Sequence, residues 1–414
     1  MGARRGVGAR KSSRVSAPPD APIRVLQVIA GLDPAIGGPP VSAIQTSLAL
    51  REQGLINEFA FVFDAPKPGV LQNVALLREA GIAVYGFPIG RLPGPLGPRW
   101  GFSPRLAWWL VRSARRYDVL HMHGAWTFTT FVGLLSARLS RRVAVLSTHE
   151  SLTDFDRAKS SWLGRLVKRV LRRFYLSTFG VVVVSSALEQ RDSGDPGGRR
   201  SVVIPHAVPR FAHAARVATH LRGPLAVGFL GRLHPKKNLD VVIESVARQD
   251  DNVTLRVAGD GPERDRLLRL ARDLRVDERT TWVGFVQADD KAEFLHSIDV
   301  LVMPSAYECF GVAAVEALAA GVPVIVSPTV GVANVIRQHA CGLVVDPDVE
   351  SVADALTQLA HDPALLERLR QTATATVDAE FSSERHGQRL HNEYLRLLRR
   401  PLAHVTAPAV GEMP

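Results

Sequence analysis

The sequence predicts an α/β protein built from two parallel-sheet domains, and three observations carry that reading. At 414 residues the chain is long for one hydrophobic core, which makes two domains the default. Short β-branched runs alternate with helix-like stretches from end to end. One segment also spells out the repeating unit. Residues 298–303 form an apolar strand-like run, and residues 312–320 are alanine-rich and helical. Gly321 then stops that helix, and Pro323 opens the strand 324–326. The loop inside this unit falls at the carboxyl edge of a sheet, where parallel α/β folds bind ligands.

The remaining elements follow in order. Residues 23–29, 58–63, 83–87, 119–123, 143–150, 179–185 and 202–208 read as strands of a first domain by their β-branched content. Ser42 is placed to cap a helix running to about residue 51. Residues 88–104, rich in Gly and Pro, read as a long loop. Strands at 225–230, 253–258, 281–285, 298–303, 324–326 and 341–347 belong to the second domain, and helices are expected near 350–360 and 363–379. The expected organisation is a disordered basic tail (1–21), a first domain (22–208), a linker (209–223), a second domain (224–382) and a disordered tail (400–414).

Composition is that of a globular protein, with no apolar run near the ~20 residues that span a bilayer. No signal-peptide core occupies residues 1–20, and position 6 lacks the Ser or Thr of a myristoylation signal, so a cytoplasmic location is expected. Two cysteines, Cys309 and Cys341, give no disulfide framework. Part of the net charge of +11 sits in the first twenty residues, where five cations oppose Asp20. Excess positive charge suits anionic lipid or lipid diphosphates as well as nucleic acid. No basic–aromatic recognition module accompanies it, so no nucleic-acid partner is expected.

The chemistry concentrates at 304–323. Free backbone N–H groups at a helix start, near Gly311 and Val312, suit a diphosphate, and the helix dipole helps. Glu316 stands about 7.5 Å along that helix with its side chain leaning back toward the N-terminus, where it can accept from a ribose. Glu308, on the loop, is free to meet a sugar. The spacing of Glu308 and Glu316, with Phe310-Gly311 after the first and Ala-Leu-Ala-Ala-Gly-Val-Pro after the second, resembles the signature of retaining glycosyltransferases of family 4. That resemblance implies the GT-B fold, in which two Rossmann-like domains face one another across a cleft. It also implies a nucleotide-sugar donor, a saccharide or lipid-linked acceptor, and a last helix at 383–399 crossing back to the first domain.

Other segments are similar to the same family. Gly231-Arg232-Leu-His-Pro-Lys-Lys237 resembles its diphosphate-holding loop, which implies that Arg232 and Lys237 grip the leaving group. Gly284 and Phe285 match where the base is cradled, with Phe310, Gly311 and Val312 completing the donor side. His149 matches a histidine near the donor sugar that supports turnover. Gly37, Gly38 and His123 match positions at the loop and the acceptor cleft; a plain turn remains the other reading of the glycine pair. His206-Ala207 and Pro209 depart from the pattern, as does Asn334.

His121 and His123 point the same way on a strand, so a metal site is weighed, but no third ligand of clear spacing accompanies them. The Asp-x-Asp strings at 154–156 and 346–348 are of a kind that occurs often by chance. No metal or cofactor is expected, because the resemblance implies that Arg232 and Lys237 take the metal's place. Gly-x-Gly-x-x-Gly after a strand and Gly-Lys-Ser/Thr are both absent, which argues against dinucleotide oxidoreductases and P-loop nucleotidases. A binding protein for nucleotide sugars or anionic lipids, without turnover, remains the alternative. Finally, residues 162–176 spell a basic amphipathic helix. Either its apolar side packs on the sheet and its basic side is solvated, or it meets an anionic membrane surface together with residues 105–116.

Overall fold

The computed structural model describes residues 21–34, 37–90, 100–195, 197–208, 223–286 and 288–399. The two expected tails and the linker lie outside the described residues, apart from residues 21 and 223. The first sheet contains β1 (Arg24–Ile29), β2 (Ile56–Phe63), β3 (Ala83–Pro88), β4 (Val119–His123), β5 (Val143–Ser147), β6 (Val181–Val184) and β7 (Ser201–Val203). The second contains β8 (Leu225–Leu230), β9 (Val253–Ala258), β10 (Thr280–Gly284), β11 (Val300–Met303), β12 (Val324–Val326) and β13 (Gly342–Val344).

All pairings are parallel, in the orders 3-2-1-4-5-6-7 and 10-9-8-11-12-13. Both orders reverse at their first strand, so the crevices open between the carboxyl ends of β1 and β4 and of β8 and β11. The central strands are buried on both faces because helices cover both sides, which is why β8 reads as an unbroken apolar run, while the edge strand β3 is partly exposed.

Side-chain alternation divides each core in two. In the first domain Leu26, Val28, Leu120 and Met122 face the helices Pro104–Ser113 and Phe128–Ser140. Val25, Val119, Val145 and Val181 face Leu390, Tyr394 and Leu395 of the last helix, Ser383–Leu398. That helix lies so close to the helix Gly38–Glu52 that a Cβ on Gly387 would stand 2.6 Å from the Ala49 carbonyl oxygen.

Two local expectations change. The first helix starts at Gly38, not at Ser42: Gly37 at φ 116° is its cap, and Pro39 and Pro40 fill the first turn, where a missing N–H is harmless. Ser42 bonds His206 instead. The helix Trp162–Thr178 also turns its apolar stripe outward. Tyr175 is its one fully buried residue, while Lys168 and Arg172 point inward to Asp156 and Asp154. Its ordinary reading, apolar side on the sheet, does not hold.

Candidate active site

The loop after β8 and the loop after β11 flank one crevice, and the chain ties them together. Residues Pro235–Lys237 make a single 3-10 turn, capped by the His234 side chain accepting from the Lys236 N–H. Asn238, in the left-handed region at φ 51°, donates through Nδ2 to the Pro304 carbonyl at 2.9 Å. The Ala306 N–H donates to the Lys236 carbonyl at 2.8 Å. Lys237 Nζ thereby stands 2.7 Å from Glu308 Oε1, an ion pair without the alignment of a hydrogen bond. Lys236 Nζ lies 3.6 Å from Glu308 and 3.4 Å from Glu150 of the first domain. Burial pulls the Lys236 ammonium down, but the two carboxylates outweigh it and raise its pKa overall. Arg232 is exposed and has no ion-pair partner among the described residues. Backbone closeness is severe here: a Cβ on Gly259 would fall 1.9 Å from the Gly231 carbonyl oxygen.

Glu308 is held by its backbone, whose N–H donates to the Thr329 carbonyl at 3.0 Å and whose carbonyl accepts from Gly331 at 2.8 Å. Gly311, at φ 104°, opens the helix Val312–Ala319, which no side chain caps. Its first amides are therefore available to an anion. Glu316, the expected ribose acceptor, already has a partner. It is almost fully buried, and Lys291 Nζ sits 2.7 Å from its Oε1. Burial raises its pKa, against the pull of that ammonium. Gly284, at φ 84°, accepts from the Gly259 N–H at 2.7 Å, and Phe285 beside it is 67% exposed. Phe310 is buried against the His206 ring and Phe381.

Across the crevice, the ends of β4, β5 and β7 bring up a column of histidine rings. His121, His123, His149 and His206 stack in turn, with centroids 4.7, 5.2 and 5.4 Å apart. His123 does not reach the surface; it backs His149. Its Nε2 lies 2.7 Å from Gln27 Oε1 and its Nδ1 lies 2.9 Å from His149 Nε2. With both rings neutral, the Gln27 carbonyl requires a proton on His123 Nε2. His149 Nε2–H then donates to His123 Nδ1, leaving His149 Nδ1 a hydrogen-bond acceptor. Burial is the largest cause that lowers both pKa values. The nitrogens of His121 are taken by Tyr394 and Ser147, and among the described residues no group of three His, Cys, Asp or Glu side chains is arranged to hold a metal ion. Asp154 and Asp156 are ion-paired to Arg172 and Lys168. Gly37 and Gly38 are exposed, one turn from the Ser42–His206 hydrogen bond, with open space where a Cβ would stand.

His149 and Glu150 both take left-handed backbone, at φ 47° and 73°, a conformation that costs of order 1–3 kcal/mol per non-glycine residue. The fully buried Glu189 over-determines it. Its carboxylate accepts from Thr148 Oγ1 (2.6 Å), the Glu150 N–H (2.7 Å), and the Ser185 N–H and Oγ (2.7 and 2.6 Å). Glu189→Ala strands these donors and is expected to lower stability by about 3–5 kcal/mol, with Glu189→Gln milder. A denaturant midpoint unchanged in both variants would contradict this.

Sequence reasoning missed Glu189, Lys291, Glu150 and His206, and also the stack of Phe155 on Tyr307, with centroids 4.6 Å apart across the crevice. No local pattern announces any of them. The departure at His206 was a visible signal without a visible partner.

Two family profiles match the chain: "Glycosyl transferase 4-like domain" over residues 37–207 and "Glycosyl transferases group 1" over residues 215–376. A D-inositol 3-phosphate glycosyltransferase of Nocardia farcinica is 33% identical over 371 residues, covering 82% of this chain and 80% of that one. The chain belongs to the group 1 glycosyltransferases, of the family 4 type.

A lipopolysaccharide core biosynthesis glycosyltransferase of Rhizobium meliloti, LpsE, is 33% identical over 233 residues, 54% of this glycosyltransferase and 65% of that relative. The crystal structure of Anabaena HepE in complex with UDP superposes with a TM-score of 0.71 at 21% identity, covering 89% of this chain and 98% of that one. The fold is GT-B. This glycosyltransferase moves a sugar from a nucleotide-sugar donor. Among the described residues no helix is long and apolar enough to cross a membrane.

Proposed function

We propose that this glycosyltransferase moves a hexose, with retention of anomeric configuration, from a nucleoside-diphosphate sugar to a hydroxyl of a saccharide or lipid-linked acceptor. The division into residues 22–208 with 383–399, and 224–382, assigns acceptor and donor to separate domains. One observation carries the reading: Lys237, Lys236 and Arg232 follow β8 on one loop, facing Glu308 and the uncapped start of the helix Val312–Ala319. Cations and amide dipoles converge where a leaving diphosphate gains charge, and they stabilise it more as the glycosidic bond breaks. Complexes of Anabaena HepE with UDP and with UDP-glucose support a donor of this class.

In the reaction the anomeric C–O bond to the diphosphate breaks, and the acceptor oxygen attacks from the same face. The acceptor's proton passes to the departing diphosphate oxygen. Lys237 leaves Glu308 for the diphosphate, which frees the carboxylate to meet hydroxyls of the sugar. The acceptor nitrogen of His149 takes a further sugar hydroxyl. Gly284 and Phe285 bound the base, Phe310 supports the floor beside Gly311 and Val312, and Glu316, tied to Lys291, orients the ribose. Gly37 and Gly38 leave room for the acceptor, and His123 fixes the tautomer of His149. No metal or cofactor takes part, and the chemistry proceeds in the cytoplasm.

Two measurements test this. UDP, GDP and ADP are compared by thermal shift, where a ligand at a hundred times its dissociation constant adds about 2.7 kcal/mol of stability. One of the three is expected to stabilise the protein, and none doing so would count against the site. NMR of the early product then reports the anomeric centre: an inverted product refutes retention, and binding without turnover returns the chain to a binding role.

A further inference from the structure

Three helices on one face of the first sheet, Pro104–Ser113, Phe128–Ser140 and Trp162–Thr178, present an outer surface unlike the rest of the described molecule. Trp108 and Val111 stand out from the first, and Phe131, Leu135 and Leu139 from the second. Trp162, Leu163, Leu166, Val167, Val170 and Phe174 stand out from the third, with Trp162 at 72% and Val170 at 60% exposure. The helices adjoin one another: the first two share a core, and Arg138 of the second donates to the Thr178 carbonyl at the end of the third. Not one Asp or Glu occurs in any of the three. On the helix Trp162–Thr178, at 100° per residue, positions 163, 166, 167, 170 and 174 form one stripe. Exposed Arg165, Arg169 and Arg173 run along its flank. Arg112 lies with its guanidinium 3.9 Å over the Trp108 ring.

We infer that this surface docks the protein on an anionic lipid bilayer. The inference stands independently of the proposed reaction. The stripe is exposed because the helix's inward side is already engaged: Lys168 pairs with Asp156, Arg172 with Asp154, and Tyr175 stacks on the Trp126 ring. An apolar band flanked by cations and free of carboxylates matches the acyl–headgroup boundary of an anionic leaflet. There aromatic and aliphatic side chains bury while arginines reach the phosphates. The same two aspartates flank Phe155, which stacks on Tyr307 at the crevice, so a docked helix holds the cleft close to the bilayer.

The test is sedimentation of the full chain with vesicles of phosphatidylcholine alone and of phosphatidylcholine with phosphatidylglycerol, at physiological ionic strength. Binding is expected to the anionic vesicles, about a hundredfold weaker for the triple variant Arg165→Glu/Arg169→Glu/Arg173→Glu. Leu166→Ser/Val170→Ser leaves every charge in place, the basic residues 1–20 included, and is expected to weaken binding at least tenfold, an order-of-magnitude figure for two lost apolar contacts. An unchanged melting temperature establishes that both variants fold. Equal partition of wild type and the serine variant overturns the proposal. So does a dimer in sedimentation velocity that Val170→Ser dissolves, since it would assign the face to a second copy of the chain.

Discussion

Lys237→Ala is expected to lower kcat for sugar transfer by about 10²–10³-fold, the loss that follows removal of one preorganised charge donor from a developing anion. The position is exacting because Lys237 lies at the end of a 3-10 turn whose backbone is tied to the loop after β11. Its ammonium is already within 2.7 Å of Glu308, so the donor exchanges one carboxylate for a diphosphate. Lys236 cannot substitute, since it also serves Glu150 at 3.4 Å across the crevice. Arg232→Ala is expected to act in the same direction, and Glu316→Gln to raise KM for the donor through the ribose. Initial rates over a donor series separate kcat from KM. Near-native kcat in Lys237→Ala would remove the site as argued.

Acid is expected to unfold the protein well above the carboxylate range. His121, His123 and His386 are all at least 95% buried. Burial is the first cause that lowers each: His121 to about 3, His386 to about 4, and His123 well below its ordinary value. Their native partners, Tyr394, Ser147, Gln27, His149, Thr46 and the Pro205 carbonyl, are neutral, and the titratable groups near them are other histidines and Arg389. The sign follows directly. Below about pH 6.5 the unfolded chain takes up protons that the fold refuses, so stability falls as pH falls. Three such groups give a slope of up to ~4 kcal/mol per pH unit, and about 5–6 kcal/mol between pH 7 and pH 5. That is a large share of the 5–15 kcal/mol typical of a domain. Urea midpoints at pH 7, 6 and 5 measure it, and His386→Gln should make the slope shallower by about one group's share, ~1.4 kcal/mol per pH unit at most. A midpoint independent of pH over this range would contradict the buried, neutral histidines.

The sequence by itself determined the strands, their succession along the chain and the division into two parallel-sheet domains, because β-branched runs and alanine-rich helices are written in local periodicity. The order in which the strands pair was decided by the tertiary structure. The sequence also placed Arg232, Lys237, Glu308 and Glu316 on loops and a helix start that meet one crevice, since parallel sheets send every such loop to the same edge. Only the tertiary structure decided what each of these groups touches. Lys291 covers Glu316 from 25 residues away, His149 meets His123 across 26 residues, and Glu189 holds a loop 39 residues earlier in left-handed backbone. Such partners follow no period, because separation along the chain carries no information about distance once strands stack. The helix Trp162–Thr178 makes the division clearest. Its pattern fixed that one face is apolar and the other basic. Which face turns inward was settled by Asp154 and Asp156, whose carboxylates claim Arg172 and Lys168 and leave the apolar stripe outside.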